Sequence, residues 1–194
     1  MQITLATYNR DKLAEFEELF AGTNFTITSQ AEFNVPEIAE TGLTFVENAI
    51  IKARNACLHT NLPSIADDSG LVVNALNGFP GIRSARYAHD KATYQENRAA
   101  LLKALANVAP EKRSAKFYCL LVYLRYVEDP APIICQGVWE GSILYEEQGE
   151  NGFGYDALFF VPTHNCTAAK LPMRIKNMIS HRGQAMRLLL ATLQ

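Results

Sequence analysis

Residues 65–87, IADDSGLVVNALNGFPGIRSARY, carry two short apolar runs separated by Asp67, Asp68, Ser69 and Gly70. Apolar runs of this length bounded by polar punctuation predict strands, here 64–66 and 71–74, flanking an acidic turn. A loop punctuated by Gly and Pro follows and ends in Arg83 and Arg86. Acids presented at a strand end, beside backbone free to approach a ligand, suit a divalent metal with a phosphate. Strand ends next to loops are also where sites are commonly built. A plain acidic turn in a solvated loop explains the segment equally well, so the remainder of the chain decides.

Upstream, residues 2–7 read as a first strand and 11–20 as a helix with Leu13, Phe16, Leu19 and Phe20 on one face. Gly22 is a helix stop, and residues 25–28 form a further strand. A polar loop with Glu37 and Glu40 leads to TFVE, a capping box of Thr44 and Glu47 that opens a helix to about Leu58. Asn48 and Lys52, four apart, share a face of it. Downstream, 93–106 is a helix capped by Thr93, and 115–127 with 133–145 form an antiparallel hairpin around EDPAP. Residues 157–161 are a short strand, and Ser180 caps a last helix with Ala185, Met186, Leu189, Leu190 and Leu193 among its apolar positions. Helices interleaved with strands, plus a long hairpin, predict an α/β fold with a mixed sheet.

A length of 194 residues suits one domain, with room for two lobes. Hydrophobic residues at 48% and charged residues at 20% are ordinary for a soluble globular protein. A net charge of −2 argues against nucleic-acid binding through a broad basic surface, yet leaves room for a small anionic substrate. Cys57, Cys119, Cys135 and Cys166 form no CxxC pair and predict free thiols, the first three of them buried. No basic n-region with an apolar h-region opens the sequence, and no run approaches a membrane span. The expected setting is therefore cytoplasmic.

Four further segments could carry chemistry. ATYNRDK places Thr7, Asn9 and Lys12 between a strand and a helix, where amides and a Lys make an anion site. Glu40 could join Asp68 on Mg²⁺, which takes one or two protein carboxylates and fills its other positions with water and phosphate oxygens. GENGFGYDALFF, 149–160, presents Phe153, Tyr155 and Asp156 on a Gly-rich turn, where an aromatic could stack on a base. KNMISHRGQA sets Lys176 ahead of the last helix and His181 with Arg182 in its first turn. Cations there oppose the helix dipole, a breach that points to a ligand supplying negative charge.

Together, ATYNRDK, ETGLTFVENAIIKARNA, IADDSGLVVNALNGFPGIRSARYA, GFGYDALFF and ISHRGQA resemble the inosine triphosphate pyrophosphatase family, the non-canonical purine nucleoside triphosphate pyrophosphatases, and most closely its bacterial XTP/dITP diphosphatases. The blocks keep the family's order and span nearly the whole chain. The resemblance implies a long mixed β-sheet flanked by helices, two lobes with a substrate cleft between them, a single domain over 1–194 and a homodimer. It also implies Mg²⁺-dependent hydrolysis of dITP, ITP and XTP to the monophosphate and pyrophosphate, cleansing the nucleotide pool. Its phosphate turn maps onto Thr7, Tyr8, Asn9, Arg10, Asp11 and Lys12, and its metal-binding acids map onto Glu40 and Asp68. Asp68 is the implied base, with Lys52 and Ser69 near the substrate. Base recognition maps onto Phe153, Gly154, Tyr155, Asp156, Lys176, His181 and Arg182. Departures are Tyr8 for a common Gly, Arg83 for Tyr, Ala157 for Pro and Lys170 for Glu.

Overall fold

The computed structural model describes residues 1–193. Seven strands form one mixed sheet in the order β2-β1-β3-β4-β5-β6-β7. They are β1 (Gln2–Leu5), β2 (Thr26–Ser29), β3 (Ser64–Val73), β4 (Ser114–Leu124), β5 (Ile133–Ile143), β6 (Phe159–Val161) and β7 (Cys166–Thr167). The helices are α1 (Arg10–Phe20), α2 (Phe45–Thr60), α3 (Tyr94–Ala104), α4 (Met173–Ile179) and α5 (His181–Leu193). β1 pairs in parallel with β2 and β3, whereas β5–β6 and β6–β7 are antiparallel. The expected mixed sheet flanked by helices is therefore present.

Three details depart from the sequence reading. No turn interrupts residues 64–73, because Asp67-Asp68-Ser69-Gly70 runs straight through the middle of β3. With strands on either side of it in the sheet, the backbone satisfies its N–H and C=O groups best by continuing extended. Successive side chains of a strand point to opposite faces, so Asp67 and Asp68 are separated rather than presented together. Second, Lys176 precedes the last helix as expected, but it lies within a further short helix, α4, that stops at Ser180 before α5 begins. Third, the strand at Phe159 is three residues long, since 154–158 remain in turns.

The chain forms two compact units. The first comprises Met1–Asp68, Cys119–Gly137 and the residues from Arg182 onward. Its core has Ile3, Leu5, Phe16, Phe20, Ile65, Leu121 and Leu189 in one cluster, and Ala49, Ala53 and Ala56 of α2 against Ala66 and Val122 in another. Small residues on that α2 stripe let the helix lie close to the sheet. The second unit comprises Ser69–Tyr118 and Val138–His181, with Leu71, Leu101, Phe117, Trp139 and Phe159 at its centre. Burying each such Leu or Phe contributes about 1.5–3 kcal/mol. Cys57, Cys119 and Cys135 are buried, as their apolar surroundings predict, Cys166 is half-buried, and none of the four is in a disulfide.

Candidate active site

In the first unit the parallel register of Thr4 with Ser64 and Leu5 with Ile65 aims the turn after β1 along β3 toward Asp67 and Asp68. Thr7 Oγ1 accepts from the Asn9 amide at 3.1 Å. Asn9 is the N-cap of α1, its Oδ1 accepting from the amides of Asp11 at 2.9 Å and Lys12 at 3.0 Å. The Tyr8 hydroxyl donates to the Val35 carbonyl, tying the turn to the segment after β2. Arg10 and Asp11 are exposed. Lys12 reaches inward, its Nζ 2.5 Å from Asp67 Oδ1.

Asp67 sits in a dry cage. Arg182 Nε donates to its Oδ2 at 2.7 Å, and the Cys119 thiol lies 3.4 Å from the same oxygen. Arg182 Nη1 also pairs with Glu15. Asp67, Arg182 and Glu15 are 1%, 1% and 2% exposed. Burial opposes the charge on Asp67, but Arg182 and Lys12 outweigh it and hold the carboxyl well below the usual range. Burial likewise opposes the Arg182 charge, and Asp67 with Glu15 reverses that, so the guanidinium stays protonated. The negative charge expected from a ligand at the start of α5 is thus supplied by the protein itself. Arg182 is held in place by Asp67 and Glu15.

Asp68, on the other face of β3, has different company. Lys52 Nζ, from the second turn of α2, is 2.6 Å from Asp68 Oδ1 and 3.0 Å from Glu40 Oε1, and it donates to the Asp67 carbonyl at 2.9 Å. Burial raises the Asp68 carboxyl, Lys52 and Lys12 pull it down, and the net effect is a pKa above the ordinary value. Lys52 shows the converse: burial opposes its charge, and Asp68 and Glu40 leave it raised. Two carboxylates from separate segments therefore converge on one cationic atom. Among the described residues no three His, Cys, Asp or Glu form a closed metal cage. A Mg²⁺ ion that keeps phosphate and water ligands needs only one or two carboxylates, so Glu40 and Asp68 fit it. The sequence placed both acids and Lys52 on separate loops and a helix, and the structure brings the three together.

The second unit holds the remaining candidates. Gly152 (φ 71°) bends the chain so that Asp156 Oδ2 accepts from the Phe153 amide at 2.9 Å. A Cβ at Gly152 would fall 2.2 Å from that same oxygen, so only glycine fits. Lys176 Nζ is 2.5 Å from Asp156 Oδ2 and 4.7 Å from the centre of the Phe153 ring. Tyr155 is buried and its hydroxyl donates to the Ser84 carbonyl at 2.8 Å. Gly154 offers its carbonyl to Arg98 at 3.0 Å. His181 is 4% exposed and stacks on Phe117, centroids 4.8 Å apart. Ser69 follows Asp68 along β3 and is half-buried. A hollow of about 230 Å³ opens beside Tyr94, Arg98, Glu147, Phe153 and Asp156.

A model of the Ham1 family matches residues 3–192. The chain belongs to the Ham1 family. Its relatives include the dITP/XTP pyrophosphatase of Vibrio parahaemolyticus, 54% identical over 99% of this chain and 96% of that protein. The dITP/XTP pyrophosphatase of Thioalkalivibrio sulfidiphilus is 54% identical over 100% and 99% of the two chains. Among solved structures, a HAM1 protein from Coxiella burnetii superposes with a TM-score of 0.92 at 51% identity, covering 100% of this chain and 98% of that one. The likeness to members of the Ham1 family is thus full-length, and the resemblance read from five sequence blocks holds.

Sequence reasoning missed Glu15 and the true role of Asp67. Glu15 adjoins Phe16 on the inward side of α1, and a carboxylate in a buried phase demands a buried cation. That signal was available. Which cation answers it was not, because Arg182 lies 167 residues away. Two departures from the family pattern take surface roles: Lys170 binds Gln148 at 2.8 Å, and Arg83 lies 3.8 Å from Asp90.

Proposed function

We propose that this chain is a Mg²⁺-dependent nucleoside triphosphate pyrophosphatase. It hydrolyses dITP, ITP and XTP to the monophosphate and pyrophosphate, and so removes them before they enter DNA or RNA. The observation that carries the reading is the divergence of Asp67 and Asp68: one carboxyl is locked ionised in a dry cage, and its neighbour has a raised pKa beside Lys52 and Glu40. Carboxyls pushed apart in this way mark a division of labour. Full-length relatives named dITP/XTP pyrophosphatase support the substrate class.

Glu40 and Asp68 would hold the metal, which when bound neutralises triphosphate charge. Lys12 and Lys52 add positive charge to the same region, and the Thr7–Lys12 turn, with Tyr8, Asn9, Arg10 and Asp11, receives phosphate oxygens. Asp68 accepts a proton from the water that attacks the α-phosphorus. The new bond joins water oxygen to the α-phosphorus, and the bond from that phosphorus to the bridging oxygen breaks as pyrophosphate leaves. Ser69 donates to phosphate.

The second unit supplies base recognition in this reading. Phe153 stacks on the ring, His181 and, from the start of α5, Arg182 donate to the 6-oxo oxygen with Lys176 near the base, and Gly154, Tyr155 and Asp156 shape the turn. Adenine would face those donors with its own amino donor, leaving polar groups unpaired, and sites of this type discriminate strongly. The working form in this reading is a single domain per chain, assembled as a homodimer in the cytoplasm. No described helix is long and apolar enough to cross a membrane.

The test is hydrolysis of dITP and XTP beside dATP, dGTP and dTTP in Mg²⁺, with both products identified. Selective release of pyrophosphate from dITP and XTP is expected. Equal turnover of all five overturns the base-recognition half, and no turnover of any overturns the whole.

A further inference from the structure

The loop bearing Glu40 is strapped to the helix bearing Lys52 by three consecutive backbone amides. Gly42 N–H donates to Asn48 Oδ1 at 2.8 Å, and Leu43 and Thr44 N–H donate to Glu47 Oε2 at 2.9 and 2.8 Å. At the other end of the loop, Asn55 of α2 donates to the Pro36 carbonyl at 2.8 Å. Gly42 does not adopt a left-handed backbone, and its need is for space. A Cβ there would fall 2.5 Å from Glu47 Cβ and 2.8 Å from Asn48 Oδ1.

The same five-residue pattern occurs twice: TFVEN opens α2 and TYQEN opens α3. Both Thr–Glu pairs form capping boxes. In α3 the buried Asn97 uses both ends of its amide, accepting from Ala88 N–H at 2.9 Å and donating to the Ala85 carbonyl at 3.0 Å. In α2 the fully buried Asn48 uses only its oxygen, and its Nδ2 has no partner. A buried unpaired amide donor is costly. The side chain is therefore retained for what Oδ1 does, and that is to hold Gly42, two residues from Glu40.

We infer that Asn48, seated against Gly42, is a positioning residue that fixes Glu40 at the distance from Asp68 needed for two carboxylates to share one divalent cation. The inference rests on the metal-dependent reading above. Asn48→Leu fills the site without the acceptor, and Gly42→Ala forces the loop off Asn48 from the other side. Asn97→Leu in α3 is the control for the loss of a buried loop-holding asparagine away from the acids.

Mg²⁺ titrations of dITP hydrolysis, Mn²⁺ binding to the nucleotide-free protein by electron paramagnetic resonance, and thermal melts are compared across the four proteins. Asn48→Leu and Gly42→Ala should each need about tenfold more Mg²⁺ for half-maximal rate and bind Mn²⁺ about tenfold more weakly. Turnover at saturating Mg²⁺ should remain within about threefold of the parent. Asn97→Leu should lower the melting temperature and leave both metal responses unchanged. The inference falls if Asn48→Leu and Gly42→Ala keep the parental metal response, or if Asn97→Leu shifts it equally. If Asn48→Leu does not fold, Gly42→Ala alone decides by the same criteria. A parent protein indifferent to Mg²⁺ would instead remove the metal-dependent reading itself.

Discussion

The two faces of β3 at Asp67 and Asp68 treat the same side chain in opposite ways. On one face the carboxylate is dry, satisfied by Arg182, Lys12 and Cys119, and held below the usual pKa range. On the other it meets Lys52 and Glu40, keeps 7% of its surface open and is raised. One strand thus separates an acid enclosed by cations from the acid proposed to transfer the proton. The alternation of strand side chains achieves this with no intervening residue.

The widest difference between the faces should appear in stability. Asp67→Asn leaves Arg182 and Lys12 short of a buried partner and should cost about 3–5 kcal/mol in denaturant unfolding. An unchanged unfolding free energy would erase the distinction. The pH dependence sharpens it. A carboxyl whose folded pKa is depressed contributes stability that is present above its unfolded value, near 3.9, and lost as pH falls through the folded value. The gap between the parent and Asp67→Asn should therefore be full at pH 7 and shrink only below about pH 4. A gap that closes between pH 7 and 5 would assign the effect to some other group.

Smaller effects probe what lies around the faces. Phe153→Ala should raise the KM for dITP by the equivalent of about 1–3 kcal/mol, with a lesser change in kcat, if the ring stacks on the base. A KM within twofold of the parent would remove Phe153 from recognition. Cys119→Ala, which removes only the thiol beside Asp67, should cost about 1 kcal/mol of stability and leave turnover intact. A large loss of turnover there would mean that the two faces communicate.

Much of the fold was legible because its signals are local. The TFVE capping box, the alternation of helices with strands, and the apolar hairpin runs fix their elements without distant partners. The acidic turn was misread because Ser-Gly punctuation outweighed, on paper, the sheet neighbours that carry β3 through it. For the site, Glu40, Lys52 and Asp68 were legible as chemistry. Glu40 was read as joining Asp68; the placing of Lys52 between them was not legible, since it depends on a loop strapped by Asn48 and on a helix packed through alanines. The acids that pair with Arg182 were hidden for the same reason: its cationic breach of the helix-dipole rule was visible, and Glu15 is far away in the chain.

The most direct test is single-turnover hydrolysis of dITP by Asp68→Asn at saturating Mg²⁺, with melting and dITP binding measured on the same sample. The account predicts a fold as stable as the parent to within about 1.5 kcal/mol, dITP still bound, and release of pyrophosphate slowed by about 10³-fold. Release near the parental rate from a folded, nucleotide-bound variant would contradict the assignment of the proton-accepting acid to this face of β3.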